Sequence, residues 1–504
     1  MKVVAATSSS VLSLAAAVLA ATASSSADPS AQRPAHLVRR QAASQVDGMG
    51  VAQLAIYQQA FTDPVAAAKA ANAQPYIAGQ YATGNLYRYN LATDNGQLPW
   101  NTNVPFIPEA AVNGSVDGGW QALPEIQGMS LNRTFAAAPG AVMPFYQTAG
   151  YDSSKIKRAV MIMPGKPRDC WKYTSLVQNA LDVYITNPQS VSSNPDGSPS
   201  GNARTSQDEV LILGPCWMNQ NDRAAGAIQE GELYWRNGQW QSGMASRGPG
   251  DTAVSSYQVM DAFLDTLFDK TQFPSLDAVV VAGHSMGAQM VQRYSVVKQP
   301  ASYDGNVTFW IGNPGSYVWL TSTRPNQSNT SCQADYDNWA YGLDGSGVPN
   351  YVRDRVKHDK QIVSTFQTRN VHYNYGLLDN GQGDTACEAS YQGANHLERG
   401  CQFVESVAAL SGGSLPSTQT ANFMPNVSHQ DYSMLSYNVS LYRLFEEVPA
   451  GASANGSSSG SSGSSKNTAS KGSGGSASAA SSMYNVGVLA AAAGVTLTFG
   501  VGLL

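Results

Sequence analysis

Charged side chains are scarce in this chain. Of its 504 residues, 13% are Asp, Glu, Lys or Arg, against about 25% in an average soluble domain. The formal net charge is −5 and no cluster of basic residues stands out. Because nucleic-acid binding requires a basic surface, no nucleic-acid partner is expected.

Glycosylation would explain how a surface with so few charges stays soluble. Eight N-x-[ST] sequons occur, and each is a candidate acceptor in a secreted protein. The candidate glycosylation sites are Asn113, Asn132, Asn306, Asn326, Asn329, Asn426, Asn438 and Asn455.

Cysteine is also rare, with five residues and no C-x-x-C spacing, which argues against a zinc or thiol-redox centre. In an oxidising compartment the simplest count is two disulfides and one free thiol. Cys170 and Cys216 would join two loops that each follow an apolar strand. Cys387 and Cys401 are close enough in sequence for a local clasp. Other pairings remain open at this stage.

The N-terminus carries a targeting signal. The segment "MKVVAATSSSVLSLAAAVLAATASSSA" has one lysine, a short apolar stretch and then small residues, which is typical of a secretory signal peptide over residues 1–27. Residues 28–40 are a candidate propeptide, because Arg39-Arg40 could be a dibasic processing site. Two solvated arginines in a loose leader are the alternative.

The C-terminus indicates a membrane anchor. Residues 451–482 are almost entirely Gly, Ser, Ala and Asn, which is the composition of a flexible stalk. Residues 483–504 form an uncharged apolar tail. Small residues, a polar spacer and a terminal apolar tail together predict glycosylphosphatidylinositol (GPI) attachment near residues 474–476, and therefore a cell-surface protein. A tail-anchored helix is the alternative.

Between these ends the pattern predicts an α/β fold. Continuous apolar runs such as "DEVLILGPCW", "LDAVVVAG" and "NVTFWIGNPG" alternate with helical patterns over residues 128–450. Such alternation predicts a mostly parallel central sheet flanked by helices. Residues 41–127 are interpreted as an N-terminal extension packed on the sheet, with a helical pattern over residues 50–74.

The segment "VVVAGHSMGAQM" contains the candidate nucleophile. Ser285 lies in G-x-S-x-G between an apolar strand and a helical pattern, which is the context of a nucleophile elbow. The sharp turn exposes the hydroxyl, and the small neighbours let the strand and the helix approach closely. "GSSSG" at residues 456–460 matches the same pattern without strand or helix, and is interpreted as an accident of composition.

A serine nucleophile needs a histidine base and a carboxylate, which follow it in the chain order Ser, Asp or Glu, His. His429 lies before the last helical pattern, where the base is expected, and His396 is the second candidate. Asp379 ends the preceding strand and is the expected acid, with Asp384 as the less well placed alternative. His358 and His372 belong instead to a charged helical face and to the start of a strand.

An oxyanion hole needs two backbone N–H groups. One is expected from Met286, the residue after the nucleophile, and the other from the loop "VMIMPGKPRDCW", where Gly165 or Lys166 is the candidate donor. An ordinary Pro-Gly turn is the alternative interpretation of that loop.

These motifs resemble the α/β-hydrolase superfamily over residues 128–448. "GHSMGAQ" is similar to the elbow of esterases and lipases, and "MPGKPRDCWKY", "GNPGSYVWL", "YQGANHLERG" and "VSHQDYSM" resemble a set of secreted fungal and bacterial hydrolases. The resemblance implies a Ser285–Asp379–His429 triad and hydrolysis through an acyl-enzyme with no metal or organic cofactor. It also implies a structural role for His396 in "HLERG". Pro164-Gly165-Lys166 departs from the His-Gly that many lipases carry there.

The predicted function is therefore a secreted, anchored serine esterase that acts on small-molecule or wall-associated esters. A serine peptidase of the same fold and a catalytically inactive wall or adhesion protein are the alternatives. Two insertions rich in aromatic residues, 216–248 and 317–345, are expected over Ser285 at the carboxyl edge of the sheet. Their aromatics would either bind substrate or pack within a cap.

Overall fold

The computed structural model describes residues 49–75, 81, 104–186, 205–327, 331–344, 346–358 and 361–449. The predicted signal peptide, propeptide, stalk and apolar tail, together with Asn329 and Asn455, lie outside these residues. Within the described ranges, no helix combines the length and the apolar composition that a membrane span requires.

The described elements alternate along the chain. The strands are β1 Gly114–Ser115, β2 Gly119–Trp120, β3 Met129–Asn132, β4 Ala136–Ala138, β5 Ala141–Val142, β6 Phe145–Thr148, β7 Arg158–Met163, β8 Val210–Pro215, β9 Ala278–His284, β10 Val307–Gly312, β11 Asn370–Gly376 and β12 Gln419–Met424. The helices are α1 Met49–Gln59, α2 Pro64–Asn72, α3 Cys170–Thr186, α4 Gln220–Ala225, α5 Ser256–Phe268, α6 Met286–Val297, α7 Asn350–His358, α8 Ile362–Gln367, α9 Cys387–Ser390, α10 His396–Leu410, α11 Asp431–Leu435 and α12 Asn438–Leu441.

An eight-stranded sheet forms the centre, in the order β3-β6-β8-β7-β9-β10-β11-β12. β6 pairs antiparallel with β3 and β8, and the pairs from β8 to β12 are parallel. When these eight strands are renumbered 1 to 8 in chain order, their order across the sheet is 1-2-4-3-5-6-7-8. This mostly parallel sheet with flanking helices confirms the predicted α/β-hydrolase fold.

The central strands β7 to β11 are buried along their whole length because both faces of the sheet are covered. In β9, Val279 and Val281 belong to one hydrophobic cluster, and Val280 and Ala282 belong to another on the opposite face. α5, α6 and α10 contribute to the first cluster, whereas α3, α11 and α12 contribute to the second. Parallel strands bring their carboxyl ends to one edge of the sheet, and the loops that follow β7, β9, β11 and β12 meet there.

Two helices of the N-terminal extension pack on the edge of the sheet. The helical pattern over residues 50–74 forms α1 and α2 rather than one helix, because Asp63-Pro64 interrupts it. The Asp63 carboxylate accepts a hydrogen bond from Ala66 N at 2.9 Å and caps α2, with Pro64 in the first helical turn. α2 packs against α10 and β12.

The last helical pattern, "DYSMLSYNVSLYRLFEEV", predicts one closing helix, and this prediction is wrong. It forms α11, α12 and a π-helical turn at Tyr442–Glu446. The break lies at Ser436, whose hydroxyl hydrogen bonds back to Tyr432 O at 2.7 Å, and at Asn438, whose side chain accepts from Val439 N. Such side-chain bonds to the nearby backbone compete with a continuous helix.

The disulfides agree with one prediction and correct the other. Cys170 is bonded to Cys216 and ties the start of α3 to the end of β8. The predicted Cys387–Cys401 pair is wrong, because Cys387 is bonded to Cys332 in the second insertion. Cys401 lies on the core face of α10, fully buried and free. Burial raises the pKa of its thiol, which keeps it protonated and unreactive.

The sequons differ in how accessible their asparagines are. Asn113 and Asn426 are exposed, whereas Asn132, Asn306, Asn326 and Asn438 are half-buried. The Asn438 side-chain oxygen accepts a hydrogen bond from the Tyr57 hydroxyl at 2.7 Å. The two exposed sites are therefore the most accessible of the described candidates.

Candidate active site

Ser285 occupies the tight turn between β9 and α6. Its backbone has φ 59° and ψ −122°, a conformation that residues other than glycine rarely adopt. Ser285 N donates to Gly312 O at 2.9 Å, which fixes the turn against β10. The side chain is only partly buried. Such local strain, held by its surroundings, is a feature of functional sites.

The two glycines of G-x-S-x-G are required by close approach. A Cβ on Gly283 would lie 2.4 Å from the carbonyl carbon of Gly287, and a Cβ on Gly287 would lie 2.3 Å from Met163 O. These positions therefore exclude any side chain, because the start of α6 packs directly against β9 and against the end of β7.

Asp379 and His429 form a hydrogen-bonded pair at the same edge of the sheet. Asp379 follows β11, and His429 lies in the loop between β12 and α11. His429 Nδ1 is 2.8 Å from Asp379 Oδ2, and the carboxylate is completely buried. Burial would by itself raise the pKa of Asp379, but the contacts with His396 and His429 outweigh it and hold the pKa well below its usual range. Asp379 is therefore an ionised acceptor that fixes the orientation of His429.

His396 contacts the same carboxylate from the other side. Its Nδ1 is 2.8 Å from Gly381 O and 3.2 Å from Asp379 Oδ1, so the N–H is directed at the carbonyl and the carboxylate is a close ionic neighbour. Burial lowers the pKa of His396 despite the adjacent acid. Asp384 lies elsewhere, in a network with Ser316 and Tyr341, at 2.7 and 2.9 Å.

Three imidazole rings lie close together at the site, and those of His396 and His429 are stacked. The His429 ring centroid lies 4.2 Å from that of His396 and 4.7 Å from that of His284, the residue before Ser285. His284 Nδ1 is 3.0 Å from the Tyr173 hydroxyl, and burial holds the pKa of His284 well below its ordinary value. Neutral neighbours on both sides therefore restrict the movement of the His429 ring.

The structure does not bring every candidate into direct contact. Among the described residues, no hydrogen bond joins the Ser285 hydroxyl to His429. Such hydrogen bonds are commonly long without substrate and shorten in the substrate complex. His372 lies within β11, with Nδ1 2.8 Å from Thr420 Oγ1 and Nε2 2.7 Å from Glu447, and takes no part in the site.

The predicted oxyanion loop does lie against Ser285. A Cβ on Gly165 would be 3.6 Å from Ser285 Cβ and 2.9 Å from the Tyr173 hydroxyl. Met286 is the first residue of α6, so its N–H has no partner within the helix. Lys166 is exposed and its backbone continues this loop. The loop and the start of α6 thus border the nucleophile together.

Sequence reasoning missed the pair that holds this loop. Arg168, with φ 66°, donates from Nε to Asp222 Oδ2 at 2.6 Å and from Nη2 to Asp222 Oδ1 at 3.0 Å. Trp120 Nε1 also donates to Pro167 O at 2.7 Å. Arg168 and Asp222 are 54 residues apart, and no local pattern in "PGKPRDCW" or "NQNDRAAG" connects them.

Tyr81 of the N-terminal extension also reaches the site. Its ring centroid lies 6.5 Å from that of His396 and 6.2 Å from that of His429. Burial, with the nearby Asp379, raises the pKa of Tyr81 to about 12. The extension therefore contributes an aromatic wall that its sequence, without clear periodicity, did not indicate.

Among the described residues, Asp379, His396 and His429 are a group whose ligand atoms could hold a metal ion, since they lie within 4.8 Å of one another. The hydrogen bond of His429 to Asp379 and the close contact of His396 with the same carboxylate account for this convergence.

Comparison with known proteins finds similarity in structure alone. No protein-family model and no curated protein matches the sequence. Poly(aspartic acid) hydrolase-1 from Sphingomonas sp. KT-1 aligns with a TM-score of 0.41 at 16% identity, over 63% of this chain and 98% of its own. LpqC, a poly(3-hydroxybutyrate) depolymerase from Bordetella parapertussis, aligns with a TM-score of 0.41 at 16% identity, over 64% of this chain and 90% of its own. The siderophore hydrolase EstA from Aspergillus nidulans aligns with a TM-score of 0.32 at 10% identity, over 64% of this chain and 96% of its own.

The first insertion, 216–248, forms a cap and a cleft beside the nucleophile. Its three tryptophans, Trp217, Trp235 and Trp240, are buried against one another, with centroids 5.1 and 6.3 Å from Trp217. Cap packing is therefore their main role. A cleft of about 230 Å³ lies between this insertion, the exposed Lys166 and Met286.

Proposed function

We propose that the protein is a serine hydrolase that cleaves carboxylic esters. The observation that supports this most directly is the 2.8 Å contact of His429 Nδ1 with the buried Asp379 at the sheet edge that also carries the strained Ser285 turn. An acid that holds one imidazole nitrogen leaves the other available as the base.

In the proposed reaction the Ser285 oxygen attacks the ester carbonyl carbon while His429 Nε2 takes the hydroxyl proton. The carbonyl π electrons move to oxygen and form the tetrahedral oxyanion. Their return breaks the bond to the alcohol oxygen, which receives the proton from His429 and leaves. Water then attacks the acyl-enzyme by the same steps, releases the carboxylic acid and restores Ser285. Asp379 stabilises the imidazolium that forms in each half-reaction and remains ionised throughout.

Met286 N–H and Lys166 N–H are the proposed oxyanion donors. Gly165, the preceding residue of the same loop, is the alternative to Lys166 as the second donor, since a Cβ on Gly165 would lie 3.6 Å from Ser285 Cβ. Removing one such donor typically costs about 10²–10³ in kcat.

The proposed location is the cell surface, reached by secretion and retained by a GPI anchor. Two disulfides and exposed sequons at Asn113 and Asn426 support an oxidising, glycosylating compartment. The peptidase alternative, like the esterase, requires an activated Ser285. The inactive-scaffold alternative does not.

A fluorophosphonate probe tests the proposal without knowledge of the substrate. The secreted mature protein is expected to incorporate one label at Ser285, located by peptide mass mapping, and to release p-nitrophenol from p-nitrophenyl acetate. Ser285→Ala should abolish both signals, whereas Ser302→Ala, which changes an exposed serine in the loop between α6 and β10, should preserve them. An unlabelled Ser285 in folded protein would contradict the hydrolase proposal. Labelling together with cleavage of peptide amides by the wild-type protein, and none by Ser285→Ala, would favour the peptidase.

A further inference from the structure

Tyr81 presents accessible aromatic surface beside the proposed base. The residue is 37% exposed, although its ring centroid lies 6.2 Å from that of His429. The ring rests on the backbone of Gly381, because a Cβ at that glycine would lie 2.1 Å from Tyr81 Cε2 and 2.3 Å from Cζ. It is also nearly parallel to the ring of His396, with an interplanar angle of 13°. Tyr81 therefore has a defined position at the site and keeps part of its surface accessible to a ligand.

The accessible part of His429 lies close to this ring. Nδ1 faces Asp379 at 2.8 Å, and the rings of His284 and His396 pack against the imidazole. These contacts leave 11% of the His429 side chain exposed, and its Nε2 makes no hydrogen bond within the described part of the chain. A substrate can therefore reach the edge of the imidazole that carries Nε2, and Tyr81 lies beside the same imidazole.

The direction of proton transfer assigns this position to the alcohol portion of an ester. In the proposed reaction His429 Nε2 gives its proton to the leaving alcohol oxygen, which must come within about 2.6–3.2 Å of that nitrogen. The acyl carbon is instead bound to Ser285, and its oxygen faces the proposed donors of Met286 and Lys166. The alcohol portion therefore begins at His429, beside Tyr81, whereas the acyl chain begins at Ser285.

The chemistry of Tyr81 favours a neutral aromatic partner. Burial and the nearby Asp379 raise its pKa to about 12, so the hydroxyl stays protonated and the ring uncharged. The carboxylate that disfavours a phenolate at Tyr81 also disfavours an anionic group of a substrate at the same place. A neutral aromatic ring gains more from this contact than a saturated ring of equal size, because the faces and edges of two aromatic rings carry opposite partial charges.

We infer that Tyr81 forms the subsite for the alcohol portion of the substrate, and that this subsite selects neutral esters of aromatic alcohols. The inference rests on the proposed ester hydrolysis at Ser285. It gives the N-terminal extension, whose role the sequence does not indicate, a part in substrate selection.

Two pairs of esters measure this selection. Benzyl acetate and cyclohexylmethyl acetate differ in whether the ring of the alcohol is aromatic, and neither alcohol is an activated leaving group as p-nitrophenol is. Ethyl phenylacetate and ethyl cyclohexylacetate place the same two rings in the acyl portion. The mature protein should show the higher kcat/KM for benzyl acetate in the first pair. Tyr81→Leu, which keeps an apolar side chain without the ring, should reduce that ratio about two- to tenfold, the effect of losing one aromatic pair. It should leave the ratio within the second pair unchanged.

Tyr81→Phe and Tyr151→Leu are the matched controls. Tyr81→Phe keeps the ring and removes only the hydroxyl, so it should keep the wild-type preference for benzyl acetate. Tyr151 precedes β7 at the opposite edge of the sheet, and its ring is stacked on that of Phe273 with centroids 6.2 Å apart. Tyr151→Leu should therefore change the kcat/KM of both acetates by the same factor.

Equal kcat/KM values for the two acetates in the wild type, or an unchanged ratio in Tyr81→Leu, would overturn the inference. So would an equal fall of the ratio for the two ethyl esters, or a wild-type preference for 4-carboxybenzyl acetate over benzyl acetate. Fluorophosphonate labelling of Ser285 in each variant separates these outcomes from failure of the proposed function. Labelled protein without selectivity for the aromatic alcohol contradicts only the inference, whereas a wild-type protein that is not labelled contradicts both.

Discussion

Arg168 and Asp222 form a buried, two-bond ion pair between the loop after β7 and the insertion after β8. Their side chains are 6% and 0% exposed. The Asp222 carboxylate also accepts from Trp120 N at 3.0 Å and from Asn219 N at 2.8 Å. One carboxylate therefore joins the N-terminal extension, the proposed oxyanion loop and the cap, three segments that are distant in sequence.

Asp222→Asn is expected to reduce both stability and turnover. Removing one charge from a buried pair typically costs about 3–5 kcal/mol of stability. If the loop also shifts Lys166 N–H, kcat should fall by about 10²-fold with a smaller change in KM, because an oxyanion donor acts on the transition state. Urea denaturation and steady-state kinetics on p-nitrophenyl acetate measure the two effects.

Asp208→Asn is the control for that variant, since it breaks the exposed Lys155–Asp208 contact at 3.5 Å. It should leave stability and kcat unchanged within error, as expected of surface pairs. A destabilised Asp222→Asn protein with normal kcat would restrict the pair to a structural role.

The sequence predicted the central sheet because burial on both faces leaves an unmistakable signal. β7, β9 and β10 are buried at every position, and each is apolar except for one residue, Arg158, His284 and Thr308 respectively. The sequence does not predict α3, because twelve of its residues are buried around most of the helix circumference. Its polar face is therefore too narrow to produce a clear helical periodicity. The split of the closing helix depended on local hydrogen bonds of Ser436 and Asn438, which hydrophobic periodicity does not report.

The site was partly accessible from sequence for a related reason. The G-x-S-x-G elbow predicts Ser285, and chain order after an apolar segment predicts Asp379 and His429. The sequence does not predict contacts between segments whose local patterns are unrelated. Such contacts include the Cys332–Cys387 bond, the approach of Tyr81 to His429 and the contact of His396 with Asp379.

His396 and His429 should differ in how strongly their loss affects turnover. His429→Gln is expected to lower kcat by about 10³-fold or more, because it removes the proposed base. His396→Leu should lower kcat by about tenfold, since it leaves Gly381 O and one side of Asp379 without its contact. His396→Asn, which can place an N–H near the position of Nδ1, should recover most of that loss.

The pH dependence of kcat/KM separates positioning from simple destabilisation. His396→Leu should shift the acidic limb of the profile, because the environment of the Asp379–His429 pair changes, whereas His396→Asn should keep the wild-type limb. Loss of activity with an unshifted profile in both variants would indicate that His396 only supports folding.

The Cys332–Cys387 bond should stabilise the second insertion. It closes a sequence separation of 55 residues, for which the usual stabilisation is about 2–4 kcal/mol. Cys387→Ser should lower the free energy of unfolding by that amount, whereas Cys401→Ala, at the free thiol, should preserve both disulfides. Non-reducing peptide mapping should recover the 332–387 cross-link, and a 387–401 cross-link would contradict the assignment.

Acidification should destabilise the protein through buried histidines. Burial lowers the pKa of His284, His372 and His396 in the folded state. Above the ordinary histidine pKa of about 6.5 both the folded and the unfolded chains carry neutral rings, so these residues contribute no pH dependence there. As the pH falls below that value, these rings take up protons only in the unfolded chain, so each lowers the free energy of unfolding by up to about 1.4 kcal/mol per pH unit. Burial raises the pKa of Asp169 and of Asp182 to about 6, so proton uptake by these two carboxyls in the folded chain opposes that decrease.

Urea denaturation at pH 7.5, 6.5, 5.5 and 5.0 measures this slope. The decrease should begin near pH 6.5, well above the range in which the lowered pKa of Asp379 takes effect, since that stabilisation is lost only below about pH 4. His396→Asn, which cannot titrate, should reduce the slope by the contribution of one proton. Equal slopes in His396→Asn and in the wild type from pH 6.5 to 5.0 would show that His396 accepts a proton as readily in the folded chain as in the unfolded one.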